Sequence, residues 1–297
     1  MTANATMTDD TLFTRPAALV EQRLHALLEE CQLPPDLLAA SQYGVLGGGK
    51  RLRPALVVLS CESVEGDSAN SLPAAAALEL VHCFSLVHDD LPALDNDELR
   101  RGQPTLHVRS GEAMAILAGD LMLTLAFRHL VESGYSDNTA CRLVSELATG
   151  TTCMVVGQVF DTLGGMPKDL TPEDQLRLVH RNKTGALLRA ACRMGAICGN
   201  ANDAQLDALT RYGDAVGLMF QVVDDLLDVT QTAEHIGKAT GKDELHGKLT
   251  YPGLLGVEAS RKAVEHLHRE AMEALEPLGE AAGPLRDLGQ YMAIRTK

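Results

Sequence analysis

The chain has 297 residues, 45% hydrophobic and 22% charged, with a formal net charge of −14. That balance supplies ample material for one large core. Its sign excludes the nucleic-acid binders, which need a basic surface to displace counterions from phosphates, and it is poor for anionic membranes.

Trp is absent, aromatics are 3%, and Ala and Leu are plentiful. This predicts an all-α protein of helices packed through small and aliphatic side chains. The polar start, Met1 to Arg15, lacks the basic n-region and apolar run of a signal peptide. No apolar stretch approaches the roughly 20 residues of a membrane span. No Pro/Gly/Ser-rich linker divides the chain, so a single domain is expected over residues 1–297, with 1–10 flexible. In chain order, helices are expected over 16–31, 52–65, 73–91, 112–132, 139–163, 172–181, 185–198, 204–228, 251–275 and 284–294. Ser71-Leu72-Pro73 and Thr171-Pro172-Glu173-Asp174 are start signals, and Ser133-Gly134 and Gly164-Gly165 are stops. The seven cysteines are scattered and form no C-x-x-C pair, which argues against zinc and for reduced, buried thiols in a cytoplasmic protein.

Between the first two expected helices lies Gly47-Gly48-Gly49-Lys50-Arg51-Leu52-Arg53-Pro54, three cations after a glycine run at a helix start. Backbone N–H groups and the helix dipole favour an anion there, although a basic loop without a ligand reads the same way. The spacing is not that of a P-loop.

The next helix ends in His88-Asp89-Asp90-Leu91-Pro92-Ala93-Leu94-Asp95. Carboxylates at a helix C-terminus are locally unfavourable, and bound Mg²⁺ would compensate them. Asp89 and Asp95 share no face of an unbroken helix; Pro92 disturbs the last turn and lets Asp95 swing back beside Asp89. Arg100-Arg101 follow directly, as internal ion-pair partners or as bidentate grips on diphosphates. Further along, Lys183-Thr184-Gly185 ends a helical segment.

A second acidic cluster, Asp224-Asp225-Leu226-Leu227-Asp228, places Asp224 and Asp228 one turn apart on one face. Either cluster alone reads equally well as a solvated acidic patch. Two of them ending greasy helices suit a diphosphate held between them through metal ions. Lys238, Lys242 and Lys248 then sit in a glycine-punctuated stretch able to close over anions.

With these residues in view, the chain closely resembles the bacterial farnesyl diphosphate synthases, within the trans-isoprenyl diphosphate synthases. The match runs over nearly the whole chain after about Thr11: GGGKRLRP (47–54), HDDLPALDNDELRRGQPTLH (88–107), NKTGALLRAA (182–191), FQVVDDLLD (220–228), GKATGKDELHGKLTYPGLLG (237–256) and YMAIRTK (291–297). Both Asp-rich motifs, in order and with the basic segments between them, make the match specific. The resemblance implies an isoprenoid-synthase-type helical bundle around a deep central cavity, a homodimer, and no stable membrane association. It implies Mg²⁺ on Asp89 and Asp95 with Asp90 supporting, and on Asp224 with Asp228. It places Arg100 on the allylic diphosphate, and Lys50, Arg53, His82 and Arg101 on isopentenyl diphosphate. Lys183, Thr184, Gln221, Lys238 and Lys248 fall around the allylic substrate, with Gln158 and Asp161 as further cavity residues. The implied reaction condenses dimethylallyl or geranyl diphosphate with isopentenyl diphosphate. In it Arg100, Lys183 and Lys238 neutralise the leaving group, while Thr184 and Gln221 face the carbocation with non-nucleophilic dipoles.

Ser85 lies one turn below Asp89 and Phe84 is next to it, about 7 Å along the axis. In the resembling family an aromatic there goes with a fifteen-carbon product, so farnesyl diphosphate is expected, although a lone aromatic is more commonly plain core. The alternatives are a geranylgeranyl diphosphate synthase with a deeper cavity and a non-catalytic partner subunit of a heteromeric synthase. A terpene cyclase would carry a different second metal motif and would not need the 47–54 site.

Overall fold

A computed structural model describes residues 9–234 and 249–295, and the described chain is almost wholly helical. α1 (Asp9–Glu30), α2 (Pro35–Leu46), α3 (Leu52–Glu62) and α4 (Leu72–Asp89) form the first half of the bundle. A two-residue hairpin, β1 (Leu99–Arg100) with β2 (Gln103–Pro104), leads to the short α5 (Leu106–Ser110). The long α6 (Glu112–Glu132) and α7 (Asp137–Thr162) follow, then α8 (Pro172–His180), a π-helical turn at Arg181–Gly185, α9 (Ala186–Cys198) and α10 (Asp203–Glu234). The chain closes with α11 (Tyr251–Leu255), α12 (Val257–Ala274) and α13 (Gly283–Ile294).

The ten expected helices are present with shifted ends, and two differences have local causes. α2 is not expected from the sequence, because Pro34-Pro35 reads as a break. Pro35 instead sits at the first helical position, where its missing N–H removes nothing the helix would use. The single helix expected over 251–275 is two, because Gly256 takes φ 84° between α11 and α12. Asp9 and Asp10, expected within a flexible start, open α1, and residues 1–8 lie outside the described residues.

Helix α4 is the inner element. Ala74 to Val81 are buried without a break, and the four consecutive alanines let α3 and α6 approach closely. α9, buried along nearly its whole length, packs on α3, α7 and α10, and α10 packs on α12. Each fully buried leucine here, among them Leu24, Leu56, Leu78 and Leu188, contributes about 1.5–3 kcal/mol of transfer free energy. One ion pair is sealed in: Arg51 donates to Glu79 at 2.6 Å, with both side chains almost fully buried.

The expectation about apolar length needs correction. Ser68–Asp89, Glu112–Glu132 and Asp137–Thr162 are each long and apolar enough to cross a membrane, with mean hydropathy of 1.3, 1.5 and 1.3. Scattered single charges such as Asp120 and Arg128 hide this when only unbroken apolar runs are sought. In the bundle the first is largely buried. α6 and α7 leave Ile116, Leu117, Val131, Val155, Val156 and Val159 exposed.

Candidate active site

Two cavities adjoin at the end of α4. The first, about 370 Å³, is mostly apolar. Phe84, Ser85 and Asp89 of α4, Met154, Gln158 and Val159 of α7, and Lys183 and Thr184 of the π-helical turn line it. The second, about 330 Å³, is lined by Lys50, Arg53, His82, Arg101, Tyr291 and Arg295, with Phe13 and Phe220. Arg53 and His82 belong to both walls, so an apolar pocket and a cationic pocket share one partition.

Asp89 ends α4 at the first cavity. The chain then turns at Pro92, and the Asp95 N–H donates to the Asp89 carbonyl at 2.9 Å. This is the return of the backbone expected from the proline; the Asp95 side chain is exposed and is not among those lining the cavity. Burial pushes the Asp89 carboxyl up to about 6; Asp95 and Asp90 add to the shift, while Lys183 and Arg100 oppose it. Asp90, one residue on, faces another way. It is buried and receives both Nε (2.9 Å) and Nη2 (2.6 Å) of Arg100. Successive residues on a helix end point about 100° apart, so Asp90 meets Arg100 on the hairpin rather than the cavity.

The basic side of the site is built on unusual backbone. Gly48 and Gly49 have φ of 82° and 128°. The Arg101 guanidinium fills the space that a Cβ on Gly49 would need, 2.6 Å away, and Arg101 also donates to the Gly48 carbonyl. Arg51, also left-handed at φ 50°, turns inward to Glu79. Lys50 and Arg53 face the second cavity, where Lys50 Nζ lies 2.6 Å from the Tyr291 hydroxyl. Arg53 Nη1 is 3.3 Å from His82 Nε2. Burial first, then Arg53 and Arg101, hold His82 well below its usual pKa.

The π-helical turn projects Lys183 and Thr184 into the first cavity, and such local bulges recur at functional sites. Lys183 Nζ meets Asp161 Oδ2 of α7 at 2.6 Å. Thr184 Oγ1 donates to Gln221 Oε1 of α10, joining the turn to the second acidic segment. There Asp224 pairs with Arg295. Asp225 is buried, accepting from Tyr251 N at 2.9 Å with His180 Nε2 at 3.1 Å. Asp228 is partly buried.

The expected residues Lys50, Arg53, His82, Phe84, Ser85, Asp89, Arg101, Lys183 and Thr184 therefore gather at two adjoining cavities. Gln221 and Asp224 join them through Thr184 and Arg295. Lys238, Lys242 and Lys248 lie outside the described residues. The reading of the sequence does not pick out Tyr291, and leaves Arg295 unassigned. Tyr291 lies on α13 and Arg295 just past its end, with φ −58° and ψ 145°, so no helical spacing joins the two in the sequence. Among the described residues no three His, Cys, Asp or Glu side chains gather into a metal cage.

The sequence pattern of the polyprenyl synthetase family matches residues 34–281. Geranylgeranyl pyrophosphate synthase 11 of Arabidopsis thaliana, a chloroplastic protein, is 46% identical over 273 residues, covering 89% of this chain and 76% of its own. The crystal structure of a putative farnesyl-diphosphate synthase from Marinomonas sp. MED121 aligns with a TM-score of 0.81 at 36% identity, covering 97% and 99% of the two chains. The geranylgeranyl pyrophosphate synthetase of the archaeon Geoglobus acetivorans aligns with a TM-score of 0.85 at 29% identity, covering 98% and 100%. The bundle has the isoprenoid-synthase helical fold. The chloroplastic relatives overturn the cytoplasmic expectation. Of the seven free cysteines, expected to be buried, Cys141 is exposed and Cys153 half-buried, and free thiols do not say which compartment holds the protein.

Proposed function

This chain belongs to the polyprenyl synthetase family and is a prenyltransferase of isoprenoid biosynthesis, and we propose that it joins an allylic diphosphate to isopentenyl diphosphate head to tail. The observation that carries this reading is the shared partition: an apolar cavity fronted by Asp89 abuts a cationic one across Arg53 and His82. The first suits a prenyl chain whose diphosphate sits at the carboxylates. The second suits a short substrate whose diphosphate is held by Lys50, Arg53 and Arg101.

Asp89 and Asp95 on one side and Asp224 with Asp228 on the other are the residues that would hold Mg²⁺. When bound, the ions neutralise charge on the departing diphosphate. Asp90 serves by aligning Arg100, which with Lys183 faces the same leaving group. Breaking the allylic C–O bond leaves its electron pair on diphosphate. The isopentenyl double bond attacks the cation, and a proton lost to the departing diphosphate restores neutrality. Thr184 and Gln221 present oxygen dipoles to the cation, and the apolar wall of Met154 and Val159 keeps water from trapping it. Lys238 and Lys248 are assigned to diphosphate on the resemblance alone. The exposed apolar face of α6 and α7 is where we place a homodimer contact.

For product length, the names of the similar plant proteins favour geranylgeranyl diphosphate, and this is the leading reading. Farnesyl diphosphate is the second, favoured by the single observation that Phe84 is buried on the cavity wall, its ring edge-on to His88 at 5.5 Å. Purified protein is incubated with Mg²⁺, geranyl diphosphate and excess isopentenyl diphosphate, and the dephosphorylated alcohols are chromatographed. Geranylgeraniol supports the leading reading and farnesol the second. No condensation product from the folded protein rejects prenyl transfer by this chain alone and leaves the partner-subunit role.

A further inference from the structure

Gly217, Gln221 and Asp225 stand four residues apart on one stripe of α10. Each meets the segment that carries Lys183 and Thr184. A Cβ on Gly217 would lie 2.8 Å from the Gly185 Cα, and Gln221 accepts from Thr184. Asp225 Oδ2 lies 3.1 Å from Nε2 of His180, the last residue of α8. The three contacts form a ladder that runs from Gly185 back to His180. Asp225 is the most deeply buried residue of the second acidic cluster, 6% exposed, and His180 is 8% exposed. The same Oδ2 accepts from the Tyr251 N–H at 2.9 Å, and the Tyr251 ring stacks on the imidazole at 5.7 Å.

An ionised carboxylate accepts only, so His180 donates from Nε2. With two N–H donors on one oxygen, Asp225 is engaged inside the bundle, about 100° around the helix from Asp224. A π-helical turn departs from the hydrogen-bond register of the α-helices on either side of it. The backbone bonds of α8 therefore do not fix how the 181–185 turn sits on α10, and contacts from outside the turn must do so. We propose that His180 and Asp225 are positioning residues: their buried pair closes the ladder that sets the turn in register on α10, and so holds Lys183 and Thr184 at the first cavity in a fixed relation to Asp224. Tyr251 ties the start of α11 to the same point. The inference deepens the prenyl-transfer reading above and rests on it for the effect on rate. Neither residue touches the reacting groups; His180 acts through Asp225 and the turn.

Amide hydrogen exchange on the folded full-length chain, without substrate, reads the pair independently of turnover. His180→Leu and Asp225→Asn should each speed exchange about tenfold or more over 181–185 and 251–255 together, while α3 and α9 keep the parent's protection. His180→Gln keeps a side-chain N–H near the place of Nε2 and should restore most of the protection. In turnover with geranyl and isopentenyl diphosphates, kcat of His180→Leu should fall about 10²-fold, the scale of a small misplacement, with both KM values within about threefold. Adding Asp225→Asn to His180→Leu should cost little more, because both substitutions break one pair. If His180→Leu does not fold, Asp225→Asn, which conserves volume, carries the same expectations. Parent-like exchange in both segments overturns the proposal, and so do fully additive losses in the double variant or a His180→Gln as impaired as His180→Leu. A parent chain that yields no condensation product rejects the prenyl-transfer reading instead, and exchange alone then decides whether the pair holds the turn.

Discussion

Gly157 of α7 packs against the backbone of Lys183 so closely that a Cβ on Gly157 would lie 2.2 Å from the Lys183 nitrogen and 2.6 Å from its Cα. No side-chain rotation relieves a clash with backbone. Gly157→Ala must therefore push the π-helical turn away from α7, moving Lys183 off Asp161 and Thr184 off Gln221 together. Overpacking of this kind costs about 1–3 kcal/mol, and a displacement near 1 Å at reacting groups costs about 10²-fold in rate. Circular dichroism and steady-state kinetics read both. A folded variant with normal turnover would show that the close approach is packing only.

Asp89→Ala and Asp224→Ala each remove a carboxylate from the proposed metal pair. Both variants should keep the helical signal and thermal midpoint within a few degrees. Turnover should fall by at least about 10²–10³-fold, the scale of losing an aimed electrostatic contact. Near-normal rates in both would refute the metal assignment.

The raised pKa of Asp89 gives metal-free stability a sign. The folded carboxyl titrates at about 6 against an ordinary 3.8, so between those values the native state binds more protons than the unfolded one. Stability from this group is therefore present below about pH 4 and is lost as pH rises through 6. In chelator, Asp89→Asn should melt higher than the parent above pH 7, by about 2 kcal/mol, and match it near pH 3.5. Urea titrations at the two pH values test this. A variant no more stable at pH 7.5 would mean that the ionised carboxylate is not strained without metal.

Phe84 sits five residues before Asp89 on a helix whose neighbouring positions line the apolar cavity. Phe84→Ala opens the wall below the carboxylates, and the product should lengthen by at least one five-carbon unit. Chromatography of the alcohols from parent and variant decides it. An unchanged distribution would mean that another residue ends the chain.

Much of the site could be read from the residues. The two Asp clusters and the basic strings declare their chemistry by composition, and the return of Asp95 to Asp89 follows from Pro92. Helix α2 was hidden because a Pro-Pro pair reads alike as a break and as a first turn. The break at Gly256 was hidden because one glycine in a periodic stretch does not reveal its φ. Within each motif, neighbouring residues of one type had to be told apart. Asp89 lines the first cavity while Asp90 is taken by Arg100, and of the cations at the second cavity Arg51 alone is paired with the buried Glu79.

By itself the sequence determined the helical class, the greasy inner helix and which segments carry charge, because periodicity and composition are local properties. Only the tertiary structure decided which charges meet. That Arg295 lies on Asp224 across 71 residues, and that Lys50 lies on Tyr291 across 241, depends on how α13 returns to the bundle, and no local rule of spacing encodes a contact made by chain return.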